Sequence, residues 1–490
     1  MGNIPIPNWT TSVVTAGNFD ALWFNAQNGV VYIADRVNDG ATAVDTKTWT
    51  YLGTSVPPGC GVQTFGSSGR TSCRPSGILV TPDSQKVVFT GSGPTTANPN
   101  APPPGVWVFD LRSPAAAPVL VQTLAGADFM EYDPINRWVY VKTNSATGSA
   151  NTFAVVNPVS GTVVKHVPLG VGIEQLRFNP VDGYIYIAVT DTGKQAMAKF
   201  DPNTDTIVAS FPLNAANGTC TGHQFEIDPI TDIAVMGCSE AAVAVDLHTG
   251  NIVNTYPLQV NTDTTGANLN LRHSYVTSTG GSASSGCPKD STGAWPAIGV
   301  VSAGTSTAAP QFVGFACGGR GNKGAAADPL NHNIYVATPQ YPVDANSAST
   351  GQAGVLVFHD PGAIVTGTPG NAQQASGQAT LAAIAGSGIS GSVSFSLRRR
   401  SMFVDAGLTG AAASSGNTDL IITTTAGIEM VHCGVNGSGT AFCQGRLYGD
   451  PLIGGIVDVG SGGKLVASGT ITAGATVTPF ISTDSFTPVE

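Results

Sequence analysis

Short runs of alternating apolar and polar residues, each closed by a turn signal, recur along most of this chain. Residues 126–134, 172–180 and 222–229 each hold a short strand that ends in Asp-Pro or Asn-Pro. Pro fixes φ and the Asx side chain bonds its own backbone, so the dipeptide starts a turn. A second strand follows each time, over 138–141, 184–187 and 233–236. A third and a fourth then close each unit around a polar turn, over 153–164, 199–208 and 243–253. Alternation with period two marks half-buried strands, and the Gly, Asn and Asp between them mark hairpins. One unit is therefore a four-stranded antiparallel meander.

The unit repeats about every fifty residues. Its turn anchors fall at Ala26, Pro82, Pro134, Pro180, Pro229 and Pro329. The last interval spans two periods, which predicts a degenerate repeat centred near Thr279. Its first strand is expected over 271–279 and later ones over 298–301 and 311–315. That makes seven repeats through about Val365. A radial array of such sheets is a β-propeller. The expected fold is all-β, a β-propeller of seven or eight four-stranded blades.

Beyond Val365 the pattern changes. Residues 366–389 are rich in Gly, Ala, Gln and Ser and read as a linker or long loop. Strand patterns return over 392–395, 401–404, 419–423 and 428–431. Two readings of 390–490 stay open: an eighth blade with ring-closing strands, or a small separate β-domain. In the first, the tail would meet an N-terminal strand over 10–14 and latch the ring.

The second strands carry a resemblance. Val139-Tyr-Val141, Tyr184-Ile-Tyr-Ile187 and Ile334-Tyr-Val336, most followed by a hairpin of the form V-x-D/N-x-x-T/S-G, resemble the YVTN-type propeller repeat. The wider superfamily includes lactonase-like and lyase propellers. The resemblance covers about residues 17–365 and implies the fold. It does not choose a function, since such repeats serve enzymes, cofactor-bearing subunits and surface proteins alike.

Composition narrows the setting. The chain has 490 residues, 61 of them Gly, with 42% hydrophobic and only 11% charged residues. That is a folded, turn-rich composition rather than a disordered one. A net charge of −10 argues against nucleic acid as a partner. The one basic run, Arg398-Arg399-Arg400, reads as a solvated hairpin turn. No apolar run approaches the ~20 residues of a membrane span. The eight cysteines fall into neighbouring pairs: Cys60/Cys73, Cys220/Cys238, Cys287/Cys317 and Cys433/Cys443. Each pair would close one loop inside one repeat, and disulfides persist in oxidising compartments. A secreted or periplasmic location is expected, with a signal peptide absent from the start Met1-Gly2-Asn3.

Chemistry is expected where first strands begin, at one rim of the central channel. The residue six before each turn anchor gives Asp20, Ser76, Asp128, Glu174, His223, His273 and Lys323. Arg74, Arg272 and Arg320 lie close by in sequence. Ionisable groups converging on one small ring shift each other's pKa and mark a candidate site. His223 and His273, one period apart, are expected as catalytic base and acid, with Glu174 and Asp128 orienting them. Arg272, Lys323, Arg320 and Arg74 would bind a substrate carboxylate. Asp20, Asp128 and Glu174 would hold a divalent cation such as Ca, Mg or Zn. His166, His248, His332, His359 and His432 read as surface groups. Long loops over 61–70, 91–105, 288–296 and 339–354 map to the same rim. No nucleotide or haem signature is present. Two functions remain open. One is a lyase, isomerase or metal-assisted lactonase acting on a small carboxylated or carbohydrate-derived substrate. The other is a non-catalytic extracellular binding or scaffold propeller, or a partner subunit.

Overall fold

The computed structural model describes residues 2–473 apart from 10–18, 62–72, 84, 95–100, 145–150, 216–217, 240, 257–261, 279–286, 288, 290–295, 306–307, 320–321, 342–351, 363–375, 385–386, 399–400, 411–417 and 436–438. Among the described residues there are strands and turns and no helix. Seven antiparallel sheets of four strands form the blades. Their first, innermost strands are Phe19–Asn25, Ile78–Val80, Ala127–Asp133, Ile173–Asn179, Gly222–Asp228, Thr262–Asn268 and Lys323–Asp328. The protein is thus a seven-bladed β-propeller, as the fifty-residue period predicts.

The turn after each first strand explains why the period is so regular. Asp133 Oδ1 accepts the N–H groups of Ile135 (2.9 Å) and Asn136 (3.3 Å), and Asp228 Oδ1 those of Ile230 (3.1 Å) and Thr231 (2.8 Å). The turn ends on a residue with positive φ: Gly29, Arg137, Gly183, Asp232, Arg272 and His332 in six blades. The Asx side chain stabilises the bend, and the left-handed residue feeds the second strand. In five blades the second strand then buries a tyrosine: Tyr32, Tyr140, Tyr186, Tyr275 and Tyr335. Tyr140 and Tyr335 are fully buried, and each hydroxyl donates to a carbonyl of the next blade around the ring, at Pro202 and Thr46. Fourth strands are exposed edges. In five blades a bulge breaks the ladder there, at Leu52, Val164, Val208, Val253 and Val313. Bulged edges resist pairing with other chains.

The ring closes differently from expectation. Gly2–Pro5 supplies the outer strand of blade seven, paired antiparallel with 354–357. Residues 10–14, expected to do this, lie outside the described residues. Trp9 stacks on Phe19 of blade one, with ring centroids 4.5 Å apart, and its Nε1 donates to buried Asp35 at 3.0 Å. Asp35 also accepts from Val37, Asn38 and Thr42. The N-terminal segment thereby clasps the first and last blades.

The strands expected for an eighth blade belong to another sheet. Ser376–Ala383, Ser390–Arg398, Ser401–Thr409, Thr418–Thr424, Gly427–Val435, Ala441–Leu447, Ile456–Ser461 and Lys464–Thr470 pair into a sheet whose last partner returns to its first, with Thr472–Ala473 added at the side. Alternate residues fill one interior, among them Leu381, Val393, Phe395, Val404, Leu420, Ile422, Val457 and Val459. A closed barrel with a filled interior is the result. Part of the expected linker is its first strand, where small residues alternate over a narrow core. The barrel docks on the turn face of the propeller. Ile421 packs with Ile135 and Phe178, Met430 N donates to Pro82 O, and Arg137 pairs with Asp419.

All four sequential cysteine pairs are bonded. Cys60–Cys73, Cys220–Cys238 and Cys287–Cys317 sit where first strands begin, on the loop face opposite the barrel. Cys433–Cys443 crosses two barrel strands.

Candidate functional site

The channel offers two ends, and the sequence reading anticipated only the loop face. There Asp20, Ser76, Asp128, Glu174, His223 and Lys323 do begin, or immediately precede, first strands. The structure brings Asp128 and Glu174 together through a residue the sequence reading missed. Lys142, buried on the second strand of blade three, lies 2.9 Å from Asp128 and 2.8 Å from Glu174. Its Nζ also sits 5.5 Å from the Phe129 ring centroid. Burial opposes its charge, but the two carboxylates outweigh it and hold its pKa above the ordinary lysine value. A signal existed: the equivalent positions are Ala34, Thr90, Ala188, Gly237, Thr277 and Ala337, so a lysine there is out of pattern.

Asp20 is likewise paired with Arg36, which also donates to Ser76 Oγ (2.7 Å) and Pro75 O (3.0 Å). Of the three carboxylates expected to hold a cation, Asp20 pairs with Arg36 while Asp128 and Glu174 share Lys142, so they split into two separate clusters, each holding a protein cation. The cation-binding expectation does not fit this arrangement. Among the described residues, the one group with metal-ligand spacing is Asp39, Cys60 and Cys73, whose two sulfurs are already joined in a disulfide.

The role of Lys142 is testable. Lys142→Met leaves Asp128 and Glu174 facing each other, though both reach water. A loss of about 1–3 kcal/mol is expected at pH 7, below the usual value for a broken buried pair because solvent screens the acids. Calorimetry should show a much smaller loss when Lys142→Met is made together with Asp128→Asn and Glu174→Gln, which remove the unmatched charges. An equal loss in that background would assign the effect to packing on Phe129 instead.

The expected histidine pair is not a pair. His223 is half-buried on the rim, with Nε2 3.0 Å from Ser239 Oγ, and among the described residues it bonds no carboxylate. His273 starts the second strand of blade six, not the first, so it lies at the turn end. It is buried between blades, with Nδ1 2.7 Å from Asp360 Oδ2, an oxygen that also accepts from Tyr275 at 2.7 Å. The error has a clear origin. The missing turn does not lie midway between Pro229 and Pro329 but at Asn268–Leu269, because blade six carries its extra length between its second and third strands. Its first strand, Thr262–Asn268, reads Thr-Asp-Thr-Thr-Gly-Ala-Asn and shows no apolar alternation. Asp263 holds the register position expected of His273.

The cationic candidates disperse as well. Arg272 occupies the left-handed turn position, and its Nε and Nη2 each reach a different Asp228 carboxylate oxygen at 2.9 Å. It staples blade six to blade five on the turn face. Lys323 begins the first strand of blade seven, half-buried, and Arg74 holds a left-handed bend whose N–H donates to Asp39 at 3.1 Å. Arg320 lies outside the described residues, as do most of the long loops. His432 is not a simple surface group. It joins barrel to propeller, 2.7 Å from Asp419 and 3.6 Å from Asp83, and these carboxylates raise its pKa to about 9.

The other end of the channel holds a cavity of about 220 Å³. Its walls are inner strands and the barrel hairpin 423–429, with Tyr448 beside it. Glu131, Arg177 and Glu226 come from three successive blades at equivalent positions. Arg177 grips Glu226 with two N–H groups, at 2.9 and 3.3 Å, and reaches Glu131 at 3.4 Å. Trp23 lies alongside, 5.9 Å from the guanidinium. At the matching positions of blades six and seven stand Gly266, packed closely on the Ala325 backbone, and Ala326, which bring no polar side chain to that side. Burial pushes Glu131 up to about 7 against the pull of Arg177. Glu429, in the hairpin, is also raised by burial, although Tyr448 and Gly449 N–H groups bind it at 2.9 and 2.7 Å.

No family model matches the chain, and no curated protein matches it. Solved structures do. A chain of "Crystal Structure of Mitotic Checkpoint Complex" aligns at a TM-score of 0.50 and 9% identity, covering 73% of this chain and 90% of that one. "Structure of U3-55K" gives 0.49 and 8%, covering 70% and 95%, and "Crystal structure of RRP9 WD40 repeats" gives 0.48 and 8%, covering 69% and 93%. At such identity the likeness concerns the propeller fold alone.

Proposed function

We propose that this chain is a non-catalytic extracellular binding propeller that presents its loop face to a protein partner. The observation that carries this reading is the dispersal of the candidate catalytic set. His273 is locked on Asp360 between blades, and Asp128 and Glu174 are tied by Lys142. A general base needs reach to a substrate proton in a shared cavity. His223 and His273 begin at opposite ends of the channel. The loop face is the free one, because the barrel covers the turn face. Three disulfides brace it, which favours pre-organised loops on a rigid scaffold. They also support an oxidising compartment. Membership of the YVTN-type repeat rests on the second-strand tyrosines and their hairpins.

A photoreactive amino acid placed at Lys194, exposed on the loop face, tests this in the secreting cell. It should yield one discrete protein adduct. The same probe at Ser160, exposed on the turn face, should yield none. Equal adducts from both positions, or saturable turnover of a lactone or uronate that His223→Ala abolishes, would overturn the proposal.

A further inference from the structure

We propose that the axial cavity beneath the barrel is a binding site for a small organic cation, an ammonium carried on a compact apolar body. The argument starts from unequal sharing of one guanidinium. Arg177 gives Glu226 two contacts, at 2.9 and 3.3 Å, and Glu131 only one, at 3.4 Å. Glu131 Oε1 accepts the Tyr132 N–H at 2.9 Å, which leaves Oε2 with that long contact. Two carboxylates therefore share one positive charge in a buried space, and the second is poorly matched. A buried charge without a close partner is costly.

The surroundings say what would match it. Across the channel the wall is Gly266 and Ala326, which offer neither charge nor hydrogen-bonding side chain. Trp23 provides an aromatic surface of the kind that attracts cations. Glu429 adds a further acid on the barrel side. An anion would meet three carboxylates here, and a neutral molecule would leave the charge imbalance in place. A volume of about 220 Å³ is below the usual range for drug-sized ligands, so the ligand is small. The site is independent of the loop face, so either proposal can fail alone.

Three probes of similar size and different charge test it by titration calorimetry on the full chain at pH 8: benzylamine, its near-isostere benzyl alcohol, and benzoate. Benzylamine should bind saturably with one site, at least tenfold more tightly than benzyl alcohol, and benzoate should not bind. Glu131→Gln keeps the shape of the side chain and the Arg177–Glu226 pair, so the fold should persist. It should weaken benzylamine at least tenfold, while Glu174→Gln on the rim changes nothing. Near pH 7 the wild type should also release protons on binding, measured as a dependence of heat on buffer, and Glu131→Gln should not. Equal affinity for amine and alcohol, unchanged affinity in Glu131→Gln, or no saturable binding of benzylamine would each overturn the proposal.

Discussion

A chain lacking residues 1–9 is expected to lose several kcal/mol of stability and to aggregate on mild warming. Ile4, Ile6 and Trp9 are all buried in the core shared by blades one and seven. Burying each is worth about 2 kcal/mol, an upper figure because an unfolded chain already hides some surface. Deletion also uncovers the strand Gln352–His359, whose residues 354–357 pair with the N-terminal segment. An unpaired, apolar edge is a template for other chains. Calorimetry with light scattering should show a fall in Tm of many degrees and scattering that rises with protein concentration. Trp9→Phe separates the contributions. It keeps the stack on Phe19 but removes the donor to Asp35, and should cost only about 1–3 kcal/mol. A deletion variant with wild-type Tm would show that the ring holds without its clasp.

The same clasp marks where sequence reasoning reached its limit. The blades were legible because each unit repeats the same local chemistry. In most blades an Asx side chain folds back on its own turn, a left-handed residue follows, and a second-strand tyrosine is buried. Such signals lie within a few residues of each other. The four disulfides were legible for the same reason. The clasp and the barrel were not: the clasp depends on a partner hundreds of residues away, and the barrel on a closure between its first and last long strands. Four residues at 2–5 look like nothing until 354–357 lie beside them. The barrel strands alternate as blade strands do, and alternation does not say whether a sheet stays open or closes. The rim was half legible. The arithmetic of turn anchors placed Asp20, Asp128, Glu174, His223 and Lys323 correctly, and failed at His273 where one blade redistributed its length. The axial cavity was missed although its signal was present: Glu131, Arg177 and Glu226 stand two residues before Asp133, Asn179 and Asp228, where a channel wall of small residues would be ordinary.

Asp458→Asn is expected to stabilise the protein at pH 8 and to leave it unchanged near pH 3. Val457 and Val459 point into the barrel core, so Asp458, between them, points out. Yet it is 1% exposed, because that face of the barrel lies against the turns of blades three and four. Among the described residues neither carboxylate oxygen makes a hydrogen bond of normal geometry, although the nearby Ser468 hydroxyl favours the charged form and offsets part of the burial. Burial pushes its pKa up to about 7, and the charge of Asp182 adds to the rise. Below the ordinary carboxyl range the residue is neutral in both folded and unfolded chains and has no effect. Between about pH 4 and pH 7 the unfolded chain releases the proton and the folded chain keeps it, so stability falls. Above pH 7 the penalty is complete, on the order of 4 kcal/mol for about three units. Asparagine removes the charge and with it the slope. Glu131, raised to about 7, and Asp133, raised to about 6, act in the same direction, so the variant keeps a shallower decline. His432 extends the trend. Its contribution is full at pH 6 and is lost as pH rises through about 9. Denaturant melts of both proteins from pH 3 to pH 9 should therefore diverge above pH 4 and run parallel above pH 7. A variant that is destabilised at pH 8 would mean that Asp458 is held by a partner and that the barrel docks on a matched charge, and one stabilised equally at pH 3 would mean that the gain does not come from removing a buried charge.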